Sequence, residues 1–243
     1  MSWATTGPDG SNAVSQLALP LRLADHAVFA SFLGNGNEEL VALLSGVHGT
    51  SSKSGCWLWG GPATGKTHLL QAVCERAGDR SVYVPLAMLA EAGPELIDGL
   101  ASREVVCLDD LHAVAGDPDW EQALFTLYNE LIACGGELIV AASMAPRECP
   151  IALPDLASRL SHLPTYNVQS LRDEDRAEAL QLRASHRGLE LPDETVSYLL
   201  SRSRRDMASL YALLDTLDEE ALRAQRRLTV PFVREVLSQL AAG

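Results

Sequence analysis

The stretch GGPATGKT, residues 60–67, decides the fold of this 243-residue chain. It fits the pattern G-x-x-x-x-G-K-[ST], with the fixed positions at Gly60, Gly65, Lys66 and Thr67. The apolar run CWLW precedes it and the helical pattern KTHLLQAVCERA follows it. A strand before and a helix after are the flanks that a phosphate-binding loop requires. The stretch therefore predicts a nucleotide site rather than an ordinary glycine-rich turn.

Each residue type in this loop suits one part of a nucleotide. The glycines let backbone N–H groups form a nest around the phosphates, and the following helix adds its positive N-terminal end. Lys66 is expected to neutralise the terminal phosphates, and the Thr67 hydroxyl to bind Mg²⁺. Pro62 and Thr64 lie within the loop, and His68 is expected to pack near the base. The predicted cofactors are ADP or ATP with Mg²⁺.

A second acidic element follows in VVCLDDL, where an apolar run ends in Asp109 and Asp110. Adjacent carboxylates at the end of a strand repel each other unless a cation lies beside them. Asp109 is therefore predicted to hold Mg²⁺, and Asp110 to polarise an attacking water molecule. The alternative is an acidic pair that caps the next helix.

The pattern of the whole chain predicts two folded parts. Strand-like and helix-like segments alternate as far as YNVQSL, which is typical of an α/β domain with a parallel sheet flanked by helices. Beyond residue 170 only helical patterns remain, which predicts a small all-helical domain. The expected boundaries are a tail over residues 1–24, the α/β domain over 25–170 and the helical domain over 171–243.

Composition narrows the possible partners and the compartment. The net charge is −13, from 32 acidic and 19 basic side chains, and no Lys/Arg-rich run offsets it, which disfavours direct binding to DNA. The five cysteines are odd in number and widely spaced, so we expect reduced core thiols rather than a disulfide framework. The sequence shows neither a signal-peptide pattern nor a long apolar run, so we expect a cytoplasmic protein without membrane contact.

GGPATGKTHLL, VVCLDDLHAV and the helical segment after the sheet resemble the AAA+ ATPases, and in particular the DnaA-related replication initiators. In that family the helical domain is a lid. The resemblance implies a sensor at Ser143, which ends ELIVAAS, and in PDLASRLSHL it implies that Arg159 reaches into a neighbouring subunit's site. The alternative for Arg159 is a surface ion pair with Asp155. In RRDMASLYALL the resemblance implies that Arg205 returns from the lid to the nucleotide, with Arg204 as the alternative.

The stretch QLALPL, residues 16–21, lies in the predicted tail. Leu17, Leu19 and Leu21 alternate and would project to one side of an extended segment, and Pro20 disfavours a helix. With Gln16 in front, the stretch resembles the peptide by which many proteins dock on the bacterial sliding clamp, the beta subunit of DNA polymerase III. The alternative is a segment that packs on its own domain.

Together these features resemble the DnaA-related regulators of replication initiation. The resemblance implies a clamp-tethered monomer or homodimer that stimulates ATP hydrolysis by DnaA, with weak turnover or none of its own. No helix-turn-helix pattern follows the helical segment, so DNA contact is expected only through the clamp. Two alternatives are an autonomous AAA+ remodeller such as a helicase loader, and an adaptor with a vestigial site. The intact loop and acidic pair disfavour the adaptor.

Overall fold

The computed structural model describes residues 27–46, 54–202 and 207–240. Its centre is a parallel sheet of five strands in the order β2-β3-β4-β1-β5. The strands are β1 (Gly55–Trp59), β2 (Ser81–Pro85), β3 (Val105–Asp109), β4 (Glu137–Ala142) and β5 (Thr165–Asn167). The predicted α/β fold class is thereby confirmed.

Helices cover this sheet and then continue as a separate bundle. Those of the α/β part are α1 (Glu38–Leu44), α2 (Lys66–Ala77), α3 (Leu86–Leu89), α4 (Pro118–Ala133) and α5 (Pro154–Ser161). Those of the lid are α6 (Arg176–His186), α7 (Asp193–Arg202), α8 (Met207–Ala224) and α9 (Val230–Leu240). Helix α2 begins directly at the end of the GGPATGKT loop, as its sequence predicts.

The inner strands β1, β3 and β4 are buried on both faces, which explains why they read as nearly continuous apolar runs. Successive side chains of a strand point to opposite faces. In β1, Trp57 packs in one apolar cluster with residues of α4 and α5, whereas its neighbours Cys56 and Leu58 pack in another with residues of α2. The sheet is therefore a fixed platform whose carboxyl edge carries the loops after β1, β3 and β4.

The lid has an apolar core of its own. Leu180, Leu214 and Val233, from three different helices, have no exposed surface. Val168 still belongs to a cluster of the sheet, whereas Leu171 packs against the lid core, so the change of core falls between these two residues.

The segment before α1 links the lid to the sheet domain. Asn37 exchanges two hydrogen bonds with the backbone of Gln169, donating from Nδ2 to the carbonyl (3.1 Å) and accepting at Oδ1 from the amide (2.8 Å). Asn35 donates to Asp175 at the start of the lid (2.9 Å). The residues that join the two domains are thus held by side chains from the N-terminal part of the described chain.

The cysteines follow the sequence expectation with one correction. Cys56, Cys74, Cys107 and Cys149 are buried free thiols. Cys134 is free but exposed, because it is the C-cap residue of α4 and lies in the turn that leads to β4. In the part of the chain that the structure describes, no helix is both long and apolar enough to cross a membrane.

The first turn of α4 is capped by Asp117. One of its carboxylate oxygens accepts from the amides of Asp119 (2.9 Å) and Trp120 (3.1 Å), and Pro118 occupies the first helical position. Asp117 therefore satisfies two amides that have no partner within the helix.

Replacing this cap should destabilise the protein by a measurable amount. We expect Asp117→Ala to lower the free energy of unfolding by about 1 kcal/mol, because two helix amides lose their acceptor. Asp117→Asn keeps an acceptor oxygen and should lose less. Denaturant unfolding of the two variants checks this, and equal losses would contradict the capping role.

Candidate nucleotide-binding site

The loop between β1 and α2 has the backbone shape of an anion-binding nest. Ala63 and Gly65 both have positive φ, 58° and 98°, and turns of this kind point backbone N–H groups into a concave pocket. At Gly65 a Cβ atom would lie 2.5 Å from Cε2 of Phe32. Glycine is therefore needed there both for its conformation and for the close approach of an aromatic ring.

Lys66 lies in the floor of this loop. Its ammonium donates to the carbonyl oxygens of Gly60 (2.9 Å) and Gly61 (2.8 Å), and the side chain is largely buried. Burial lowers the pKa of Lys66, and the carboxylates of Asp109 and Asp110 oppose that shift. The lysine is thus held under the loop, where it can neutralise phosphate charge.

Asp109, at the end of β3, is a carboxylate with 2% exposure. Oδ2 accepts from the hydroxyls of Thr67 (2.6 Å) and Tyr83 (2.9 Å), and Oδ1 accepts from the amide of Asp110 (3.0 Å). Burial raises the pKa of Asp109, and the bonds from the two hydroxyls lower it. The loop and the acidic strand, 42 residues apart in sequence, are therefore joined by one direct side-chain contact.

The Thr67–Asp109 pair suits Mg²⁺ because both side chains offer hard oxygen ligands beside the phosphate nest. Within the described ranges, no group of three or more His, Cys, Asp or Glu side chains could hold a metal by itself. An ion here would therefore take its remaining ligands from phosphate oxygens and water, which is how nucleotide sites commonly bind Mg²⁺.

Asp110 and Ser143 lie at the same edge of the sheet. Asp110 has a φ of 55° and precedes a short 3₁₀ turn without capping it through its side chain. The next long helix is capped by Asp117, so the interpretation of the acidic pair as a helix cap is wrong. Strand β4 ends at Ala142, one residue before Ser143, whose exposed amide donates to Nδ1 of His112 (3.3 Å).

A pocket lies between the loop and the lid. Phe32 and His68 form one part of its wall, with ring centroids 5.4 Å apart and planes inclined by 54°. Thr64 lines the same pocket, and Met207 and Tyr211 contribute from α8 of the lid. Aromatic side chains beside a phosphate nest suit contact with a flat heterocyclic base, and the packing of His68 near such a base stays a prediction.

The protonation of His68 follows from its surroundings. Nε2 lies 2.9 Å from the carbonyl oxygen of Val28, and because a carbonyl only accepts, Nε2 carries the proton. Burial lowers the pKa of His68, and this backbone hydrogen bond opposes the shift. The ring is thus expected to be neutral at pH 7.

Arg159 lies apart from this cluster, in the last turn of α5. Leu156 and Leu160 of the same helix are buried in the main core, whereas Arg159 is exposed. Among the described residues, Arg159 has no carboxylate within ion-pair distance, so the alternative of a salt bridge with Asp155 is wrong. Within the described part of the chain, the Arg159 guanidinium is thus not paired with a carboxylate.

Two groups of predicted site residues lie outside the described residues. One comprises Arg204 and Arg205 of the lid, and the other is the peptide over residues 16–21. Pro62 is described and is exposed within the loop.

Some side chains at the site were not found by sequence reasoning. Tyr83 reads as an ordinary strand aromatic, and its contact with Asp109 depends on the pairing of β2 with β3. Phe32 and Tyr211 line the same pocket although they lie far apart in the chain. Trp57 donates from its indole to the carbonyl of Met144 (3.0 Å) and so holds the residue that follows Ser143. No local pattern marks these contacts, because each joins segments far apart in the chain.

The sheet order, the loop after β1, the acid at the end of β3 and the helical lid define a P-loop NTPase of the AAA+ class. Comparison with family models gives two matches. Residues 173–237 match the Hda lid domain, and residues 56–134 match an RNA helicase family. The second range contains the P-loop and the acidic strand.

Solved structures with the same fold include replication initiators. Domain III of DnaA from Thermotoga maritima aligns with a TM-score of 0.69 at 18% identity, covering 88% of this chain and 97% of that one. AMPPCP-bound DnaA from Aquifex aeolicus aligns with a TM-score of 0.63 at 22% identity, covering 81% and 66%. The Thermotoga maritima RuvB branch-migration motor gives a TM-score of 0.54 at 18% identity, covering 86% and 70%. The chain therefore has the AAA+ P-loop fold seen in DnaA and RuvB, and its residues 173–237 match the Hda lid domain.

The buried histidine predicts a pH dependence of stability. The pKa of His68 in the folded chain lies below its unfolded value of about 6.5, so its contribution is complete above that pH and declines as pH falls toward the folded pKa. We expect the melting temperature to fall over this window and His68→Gln to weaken the fall. Thermal melts across the window check this, with the exposed His186→Gln as control. An undiminished fall in His68→Gln would contradict it.

Proposed function

We propose that this protein binds ADP or ATP with Mg²⁺ and stimulates ATP hydrolysis by DnaA, which converts the initiator to its ADP form. The observation that carries the proposal is Arg159, exposed and without an ion-pair partner among the described residues, in a DnaA-like domain with an Hda-like lid. The protein would act in the cytoplasm as a negative regulator of replication initiation.

Arg159 would act by electrostatic stabilisation of the transition state. A guanidinium placed beside the γ-phosphate in a neighbouring subunit's site spreads positive charge over the transferring group, and such arginines typically contribute about 10³-fold or more in rate. Its planar donors match phosphate oxygens better than a lysine ammonium does. The hydrolysed nucleotide would be that of DnaA, with Arg159 supplied in trans.

In this proposal the chain's own site would bind a nucleotide with Mg²⁺ and would connect the lid to the sheet domain. Lys66, Thr67 and Asp109 would hold the phosphates and Mg²⁺. Asp110 would polarise the attacking water, and Ser143, as the sensor, would lie between the phosphates and that water. A bound nucleotide would join the lid to the sheet domain if its base reached the pocket that His68 and Tyr211 line. Arg205 would add a lid contact to the phosphates.

A tether to the sliding clamp would place this activity on replicating DNA. The alternating leucines of residues 16–21 support it, because an extended peptide can present them to an apolar groove. The net charge of −13 disfavours direct DNA binding, so contact with DNA would run through the clamp.

A second candidate function is that of an autonomous ATP-driven remodeller, such as a helicase loader. The specific observation in its favour is the assembled Lys66, Thr67 and Asp109 set, which could support hydrolysis in this chain. The two functions differ in whose ATP is consumed, and turnover with and without DnaA separates them.

The role of Arg159 can be measured in the rate of ATP hydrolysis by DnaA in the presence of DNA-loaded clamp. We expect Arg159→Ala to reduce the stimulated rate by about 10³-fold, or to the unstimulated level if that is reached first, because the charge in trans is lost. Arg159→Lys should restore little, since an ammonium lacks the planar fork. The readout is phosphate release from ATP-loaded DnaA.

Arg80→Ala is the matched control for Arg159→Ala. Arg80 is also exposed, but it lies directly before β2, in an ion pair with Glu104 (3.0 Å). The control should keep full stimulation. Equal stimulation by the parent chain and Arg159→Ala would contradict the role of this arginine.

A change in the peptide over residues 16–21 should affect clamp binding without affecting the maximal rate of hydrolysis. We expect the double variant Gln16→Ala, Leu19→Ala to lose binding to the isolated clamp and to need far more protein for half-maximal stimulation, while the rate at saturation stays near the parent value. Surface-bound clamp measures the affinity directly. Unchanged clamp affinity would show that this peptide is not the tether.

A further inference from the structure

Glu121 is an acidic side chain in the core that has no role in the proposed nucleotide site. It lies in α4 and is 1% exposed. Oε1 accepts from the amides of Gly116 (2.7 Å) and Ala152 (2.9 Å), and Oε2 accepts from the amide of Leu153 (2.6 Å). A buried carboxylate needs such partners, and all three here are backbone groups.

Two of these amides lie at the start of α5, which has no cap of its own. Leu153 is the N-cap residue and makes no side-chain capping bond, and Pro154 at the first position has no N–H. Glu121 therefore takes the place of a local cap, although it is 32 residues away from Leu153. Its negative charge also suits the positive end of a helix.

The anchored helix carries Arg159. Helix α5 has eight residues, Pro154–Ser161, and at about 1.5 Å per residue it is about 12 Å long. Its attachment includes Leu156 and Leu160, both buried, and the amides bound by Glu121. In so short a helix, a shift at the first turn is transmitted to the last turn, where Arg159 lies.

We propose that Glu121 is a positioning residue for Arg159. Its carboxylate fixes the start of α5 and thereby sets where the guanidinium meets the nucleotide of a neighbouring subunit. This inference rests on the proposed function, because it presupposes that Arg159 acts in trans. It adds a requirement for a buried residue that touches neither nucleotide nor partner.

The test replaces the carboxylate by an amide in Glu121→Gln. The amide nitrogen donates and cannot accept, so at least one backbone N–H loses its partner while the side-chain volume is kept. Glu130→Gln is the matched control, because Glu130 lies exposed on the same helix.

We expect Glu121→Gln to lower the maximal rate of DnaA hydrolysis by about tenfold or more, since a misplacement of about 1 Å can reduce a rate by about a hundredfold. The concentration for half-maximal stimulation, the clamp affinity and the ADP affinity should stay at the parent values. The amides of Ala152 and Leu153 should exchange with deuterium faster than in the parent. Glu130→Gln should change none of these.

A general structural defect would lower nucleotide affinity and stimulation together, and that pattern would overturn the positioning role. Full stimulation despite faster exchange at Ala152 and Leu153 would also overturn it. A parent chain that fails to stimulate DnaA would refute the proposed function itself, and the inference with it.

A second variant covers the case in which Glu121→Gln does not fold. Leu153→Pro removes one of the donating amides and leaves the carboxylate intact, and the native φ of −76° at Leu153 suits proline. The same fall in maximal rate is expected. An unchanged rate would overturn the proposal.

Discussion

The contact between the Thr67 hydroxyl and the Asp109 carboxylate is the interaction on which the site depends. It joins the first turn of α2 to the end of β3, two strands away from β1 in the sheet. A carboxylate with 2% exposure is unfavourable without donors, and Asp109 receives three. The parallel sheet makes this possible, because it brings the carboxyl ends of β1, β3 and β4 to one edge.

A small set of hydrogen bonds attaches the lid to the sheet domain. Asn37 with Gln169, and Asn35 with Asp175, hold the segment that leads from β5 into the lid. The same N-terminal segment supplies Phe32 to the pocket, where Tyr211 arrives from α8. A base bound there would contact both domains, and nucleotide binding would then be coupled to the position of the lid.

The elements near the P-loop could be predicted from sequence, because there the local pattern and the fold agree. Helix α2 begins and ends where the periodicity indicates, and Asp109 lies at the end of its strand. Tyr83, Trp57 and Glu121 could not be assigned, because each has a partner 26 or more residues away and no spacing rule connects the two. The prediction that Cys134 is a core thiol was wrong, because its apolar neighbours in the sequence did not reveal the turn after α4.

The most direct test of the account follows the nucleotide of each protein separately. DnaA is loaded with radiolabelled ATP, this protein with unlabelled ADP, and the label is followed through a single turnover on DNA-loaded clamp. The account predicts rapid conversion of the DnaA-bound label to ADP, dependent on Arg159. Persistence of labelled ATP on DnaA, with hydrolysis only when this protein is given ATP of its own, would contradict it.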